Sequence, residues 1–210
     1  MASSWVWDER VQRYRDPATG RFVSLKDAEI LREIFMDKQK AKLAGYVTDY
    51  ANDAITLQTY RDNVARTIKD TYIDMYAMGA GGRNNLTQAD WGRIGAMVKE
   101  QYQYLDNLFL QIERGEITHA QALARLNMYI NSANEALWKA HTRGLPFTLP
   151  AYPGDGSTQC LTNCKCSWKI EKVPGGYDCY WIVNLLAENC PDCIRRGVEW
   201  NPWSWREEVL

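Results

Sequence analysis

All six cysteines of this 210-residue chain lie between positions 160 and 193, and the first 159 residues hold none. Clustering of that kind gives one segment a stabilising chemistry that the rest of the chain lacks. The spacing is Cys160-x3-Cys164-x-Cys166-x12-Cys179-x10-Cys190-x2-Cys193. Two thiol groups separated by a hairpin-length insert suit a structural zinc site: each group closes a tight turn, and the metal joins turns distant in sequence. Cys190-Pro-Asp-Cys193 is the tidier half, because an x2 spacing lets both thiolates face one cation. The expected metal ligands are Cys160, Cys164, Cys166, Cys190 and Cys193, with the role of Cys179 open. One or more disulfides is the competing reading, since six is even. The N-terminus, Met1-Ala-Ser-Ser-Trp-Val-Trp-Asp-Glu-Arg10, lacks a cationic start followed by an apolar core. The expectation is therefore a cytosolic chain with reduced thiols, which disfavours disulfides.

A compositional boundary precedes the cysteines. Leu145-Pro-Phe-Thr-Leu-Pro-Ala-Tyr-Pro-Gly-Asp-Gly156 cannot continue a helix, because each proline removes a backbone donor and restricts the residue before it. The domains expected are an N-terminal arm over 1–23, a helical body over 24–150 and a Cys-rich zinc-binding module over 151–210. In the arm, Arg13-Tyr-Arg-Asp-Pro-Ala-Thr-Gly-Arg-Phe-Val-Ser24 reads as a short hairpin or an extended docking arm, and Trp5 and Trp7 pack on the chain's own core or on a partner.

In the body, helix starts are expected at Ser24-Leu-Lys-Asp27, Thr87-Gln-Ala-Asp90 and Thr118-His-Ala-Gln121, each with capping-box spacing. Leu123, Leu126, Ile130, Ala133, Leu137 and Ala140 fall on one stripe of a helix ending near Gly144. Trp91, Ile94, Val98, Leu105, Leu108 and Ile112 trace a similar face that Gly115 ends. Val47, Tyr50, Ala54, Leu57, Val64, Ile68, Tyr72 and Met75 point to one long helix reaching Gly79. The fold class expected is mainly α: an arm, an antiparallel helical bundle or long helical hairpins, and a small C-terminal α+β module. In the module, Cys166–Val173 and Tyr177–Val183 read as strands joined at Pro174-Gly-Gly176, with a short helix within 185–196.

Several functions are disfavoured by composition. Lys plus Arg is 25 and Asp plus Glu is 26, and the first 150 residues carry 19 and 18 of these, so neither part offers the positive surface that nucleic acid requires. The longest apolar stretch, Trp181–Ala187, is far short of the roughly 20 residues that cross a bilayer. The only histidines, His119 and His141, form no H-E-x-x-H pair, and Pro191 stands between cysteines where a nucleobase deaminase has it before them. Gly79-Ala-Gly-Gly82 lacks the lysine and hydroxyl of a phosphate loop and reads as an interhelical turn. No catalytic residue is assigned. Two alternatives stay in view: a hydrolase using Cys160 or a metal-bound water with Asp155 or Glu188 as the acid, and, less favoured, a zinc-ribbon regulator that binds nucleic acid. Trp200, Trp203 and Trp205 either cover the small module or contact a partner, and they are the candidate partner-binding residues.

Three stretches carry a family resemblance. Tyr152-Pro-Gly-Asp-Gly-Ser-Thr-Gln-Cys-Leu-Thr-Asn-Cys-Lys-Cys-Ser-Trp168 resembles the cysteine segment of tailed-bacteriophage head morphogenesis proteins. Its Asn163-Cys-Lys-Cys166 is similar to the Asn-Cys-Arg-Cys ending of the phage Mu F-type minor head proteins. The arm segment Tyr14–Ser24 and Asn189-Cys-Pro-Asp-Cys193 resemble stretches of phage minor structural proteins of this length. Cys160 stands where those proteins have a histidine, and the longer polar motif before it is absent, so the chain resembles a divergent or shortened relative. The resemblance implies a minor head protein that contacts portal or major capsid protein, with a homo-oligomer possible. It would be found in the host cytoplasm during assembly and in the virion, at the capsid interior or portal vertex. It implies a structural component and not an enzyme; that no membrane partner is expected follows from the short apolar stretches above.

Overall fold

The computed structural model describes residues 6–8, 13–15, 22–23, 25–184 and 188–207; among residues 1–29 only Arg15 has a described side chain. The proposed cap at Ser24 and the packing of Trp5 and Trp7 lie outside the described residues. The chain forms two compact units, Met1–Arg143 and Gly144–Leu210, so the proline-bearing segment 144–150 belongs with the cysteines.

The first unit opens with three short strands, β1 (Val6–Asp8), β2 (Arg13–Arg15) and β3 (Phe22–Val23). They pair antiparallel in the order β1-β2-β3, with Tyr14 opposite Val23 and Arg15 opposite Phe22. Four helices follow: α1 (Leu25–Ala51), α2 (Leu57–Gly79), α3 (Gln88–Glu113) and α4 (His119–His141). Two of their starts are complete capping boxes. The Thr87 hydroxyl accepts from the Asp90 N–H while the Asp90 carboxylate accepts from the Thr87 N–H, and Thr118 with Gln121 does the same.

Where the periodicity predicts one helix from Val47 to Gly79, the structure has two. α1 stops because Asp53 takes a left-handed φ of 56°, the Ala54 N–H donates to Asp49 O at 2.8 Å, and the Asp53 N–H donates to Tyr50 O at 3.1 Å. That is a Schellman closure with aspartate in the position glycine usually holds. Thr56 then caps α2 by accepting from the Thr59 N–H. The same closure ends α2 at Gly81 and α3 at Gly115, both with positive φ.

α4 packs against α1, α2 and α3. Its stripe of Leu126, Ile130, Ala133, Leu137 and Ala140 is buried, and it meets Val64, Ile68 and Met75 of α2 and Leu105 and Leu108 of α3 in one buried core. Trp91, expected on the α3 stripe, is exposed, and Phe109 is buried instead. A polar knot joins the ends of three helices. Asp90, with no exposed surface, accepts from Tyr76 Oη (2.8 Å), Thr87 Oγ1 (2.8 Å) and Arg93 Nη1 (3.0 Å), and Arg143 Nε lies 3.6 Å away. Among the described residues no helix is long and apolar enough to cross a membrane.

The second unit is a three-stranded antiparallel sheet of order β4-β5-β6, comprising β4 (Ser167–Val173), β5 (Gly176–Ile182) and β6 (Trp203–Arg206), with one helix, α5 (Pro191–Glu199). Val173 pairs with Gly176, leaving Pro174 and Gly175 as a two-residue turn with Gly175 at φ 70°. β6 was not anticipated from the pattern. It pairs Trp205 with Tyr177 and Trp203 with Cys179. Gly176 permits this pairing, since a Cβ there would stand 2.1 Å from Trp205 O. The helix expected within 185–196 begins only at Pro191, and residues 185–187 lie outside the described set.

Candidate metal centre

Three local structures deliver the thiols. Residues 161–163 form a single tight helical turn, with the Asn163 N–H donating to Cys160 O at 2.9 Å. That turn places Cys160 and Cys164 at its two ends. Cys166 immediately precedes β4. Cys190 is the N-cap of α5, Pro191 fills the first helical position where no donor is required, and Cys193 lies one turn in. Asp192 ties the two halves: its Oδ2 accepts from the Gln159 N–H at 2.9 Å, next to Cys160.

All five cysteines expected as ligands come together. Cys193 Sγ lies 3.7 Å from Cys160 Sγ and 3.6 Å from Cys164 Sγ, and Cys190 Sγ is 3.5 Å from Cys160 Sγ. Two three-sulfur groups result, Cys160–Cys190–Cys193 and Cys164–Cys166–Cys193, each with its sulfurs within 4.8 Å of one another. Cys164, Cys166 and Cys193 are buried, while Cys160 and Cys190 are half-buried. All six cysteines are free thiols here. Cys179 belongs to neither group: it is buried in β5, and burial pushes its thiol up to about 11.

The electrostatics are those of a site competing for protons. Cys164 is drawn down to about 6, chiefly because the Cys166 thiol donates to it, against the opposing effect of burial. Burial raises Cys160 to about 11 and also raises Cys193. Cys166 is raised by its hydrogen bond with Cys164 and then by burial. Burial also acts against ionisation at Cys190, but the backbone N–H groups of Cys193 and Cys160 outweigh it and lower that thiol. The thiols thus share few negative charges among five sulfurs. A cation that supplies positive charge at their centre would displace the remaining protons. These clustered cysteines can hold a metal ion.

Around the cluster the unit is built from aromatic rings. Trp168 meets Trp181 edge-on at 5.2 Å, and Trp200 stacks on Trp168 at 5.5 Å. The Arg196 guanidinium lies 5.3 Å from the Trp181 ring centre and 5.0 Å from that of Trp200, and its Nη2 donates to Ser157 O at 3.0 Å. Phe147 contacts Tyr177, Trp203 and Trp205 with centroids 5.3–5.5 Å apart. Trp200, Trp203 and Trp205 are therefore all half-buried against their own unit's rings. The Asp155 carboxylate is engaged locally, accepting from the N–H groups of Tyr152 and Ser157.

Arg196 and Asn184 were not singled out from the sequence, and Asn189 and Asp192 entered only as members of Asn189-Cys-Pro-Asp-Cys193, with no role of their own. Asp192 had a legible signal, since an acid between the two cysteines of a helix-opening Cys-Pro-Asp-Cys sits near backbone donors. Arg196 and the asparagines had none, because their partners are 5 to 39 residues away. Together, fold and cluster define a mainly helical chain carrying a small antiparallel sheet and a cysteine cluster. Comparison with protein-family models, with curated proteins and with solved structures finds no match to this chain.

Proposed function

We propose that this chain is a structural assembly protein of a tailed-bacteriophage head, with one zinc ion holding its C-terminal unit. The carrying observation is convergence. Cys164 and Cys166 of Asn163-Cys-Lys-Cys166, and Cys190 and Cys193 of Asn189-Cys-Pro-Asp-Cys193, are the residues that carry the resemblance to phage head proteins, and they meet in one cluster. Zinc suits the donor set: four thiolates at about 2.3 Å from a tetrahedral ion lie about 3.8 Å from one another. The observed sulfur contacts of 3.5–3.7 Å are close to that spacing.

The role of the ion is structural. Five clustered thiols offer more sulfur donors than a four-coordinate ion uses, which favours coordination by sulfur over a site that keeps a reactive water. A three-stranded sheet with one short helix has a thin core, and a thiolate-bound zinc contributes on the order of 10 kcal/mol to folding such a unit. Trp203 and Trp205, on the outer strand of the sheet, are the side chains offered to portal or capsid protein, while Trp200 packs on Trp168 and Trp181.

The test has two parts. Chain purified without added metal is analysed for metal, and one zinc per chain is expected. The same chain is co-expressed with the portal and major capsid proteins of its own genome. Co-sedimentation with either supports the assembly role, and failure to associate with both removes it.

A further inference from the structure

We infer that Cys193 is the indispensable ligand of the metal site, shared by two thiol groups, and that Cys160, Cys164, Cys166 and Cys190 are each individually replaceable. The inference rests on the metal reading above and deepens it by ranking the ligands.

Geometry singles out Cys193. The clustered thiols form two groups, Cys160–Cys190–Cys193 and Cys164–Cys166–Cys193, and within each group all sulfurs lie within 4.8 Å of one another. A tetrahedral ion with zinc–sulfur bonds of about 2.3 Å holds every pair of its thiolates about 3.8 Å apart, so it needs such mutual proximity. Among the described residues, no three cysteine sulfurs meet that condition without Cys193. Its Sγ stands 3.7 Å from Cys160 Sγ and 3.6 Å from Cys164 Sγ, and so contacts one thiol of each group. Loss of any one of the other four thiols breaks one group and leaves the second whole. Loss of Cys193 breaks both, leaving only the pairs Cys160–Cys190 and Cys164–Cys166.

The backbone gives Cys193 a fixed place from which to serve both groups. It lies inside α5, whereas Cys160 and Cys164 flank a single tight turn, Cys166 precedes β4 and Cys190 is the helix cap. Arg196, one turn further along α5, donates from Nη2 to Ser157 O at 3.0 Å and to Ser157 Oγ at 3.1 Å. Its guanidinium also lies against the Trp181 and Trp200 rings. On the other side of Cys193, Asp192 accepts from the Gln159 N–H. These contacts anchor the helix turn that carries Cys193, and its side chain is buried at 1% exposure where the two groups converge.

The wild-type chain, loaded with a spin-active cadmium isotope, gives a direct readout. Scalar coupling runs from the metal to the Cβ protons of ligating cysteines alone. Coupling to Cys193 is expected, whichever other thiols join it. An ion coupled to Cys160, Cys164, Cys166 and Cys190 without Cys193 overturns the inference and leaves the metal reading intact. Two ions that both couple to Cys193 support the inference and overturn only the single-ion count. A chain that binds no metal overturns the inference and the metal reading together.

Single alanine variants titrated with cobalt give the second readout. Cys160→Ala, Cys164→Ala, Cys166→Ala and Cys190→Ala should each bind one cobalt per chain, with weakened but measurable affinity. Cys193→Ala should show no sulfur-to-cobalt charge transfer at one equivalent of cobalt. Charge transfer retained in Cys193→Ala, or lost completely in any of the other four, overturns the inference.

Discussion

A Cβ added to Gly79 would stand 2.0 Å from the carbonyl oxygen of Leu137 and 3.0 Å from Ala140 Cβ. α2 and α4 approach so closely there that only glycine fits, and the obstacle is backbone, which cannot rotate away. Gly79→Ala is therefore expected to destabilise the helical unit by about 1–3 kcal/mol, although alanine is the better helix former. Gly95, exposed in the middle of α3 with open space around its Cα, supplies the control. Gly95→Ala should stabilise by roughly 0.5–1 kcal/mol. Urea denaturation of the two variants reads both signs, and a stabilised Gly79→Ala would refute the close approach.

Asp90 carries a pH dependence. Burial opposes its ionisation, but the Thr87 N–H, the hydroxyls of Tyr76 and Thr87, and Arg143 outweigh burial and hold the carboxyl at about 2, below its ordinary 3.8. A depressed folded-state value means that the contribution is complete above the unfolded value and is lost as pH falls toward 2. Its size is about 2 kcal/mol. Asp90→Asn should lower stability at neutral pH by about that amount and flatten the acid limb between about pH 4 and 2. Parallel loss of stability in both proteins across that window would show that the carboxylate is not ionised in the fold.

The Tyr60 hydroxyl is buried, with no hydrogen-bond partner among the described residues, while its ring stacks on Tyr50 at 5.2 Å and meets Phe109 edge-on at 4.9 Å. The ring contributes packing, and the hydroxyl costs desolvation. Tyr60→Phe is thus expected to be neutral or to stabilise by about 1 kcal/mol. A melting temperature lowered by several degrees would mean that the hydroxyl is satisfied in solution.

Metal removal should act on one unit only. Trp168, Trp181, Trp200, Trp203 and Trp205, five of the nine tryptophans, lie in Gly144–Leu210. A strong chelator under reducing conditions is expected to red-shift tryptophan emission and erase near-ultraviolet dichroism from these rings. The far-ultraviolet helical signal of α1–α4 should stay largely in place. Concerted loss of both signals would contradict a metal confined to the C-terminal unit. Acidification should mimic the chelator, because protons compete for the thiolates.

What was legible in the sequence was local. The capping boxes at Thr87 and Thr118 and the glycine closures at Gly81 and Gly115 involve partners within six residues, so spacing alone determines them. The β4–β5 turn at Pro174-Gly175 belongs to the same class. The break after Ala51 stayed hidden because aspartate at position 53 fills a left-handed position that glycine usually marks, while the apolar periodicity runs on across it. Tertiary structure decided the rest. β6 exists because Gly176 lets another backbone approach, and that pairing turned a tryptophan-rich tail into packing for a sheet. The cysteine spacing pointed to two half-sites; only the fold, helped by Asp192 on Gln159 and the hydrogen bonds of Asn184 and Asn189, brought them into one cluster. The physical reason is range: a cap or turn is closed by neighbours along the chain, whereas this cysteine cluster is closed by residues some 30 positions apart, whose meeting is decided by packing.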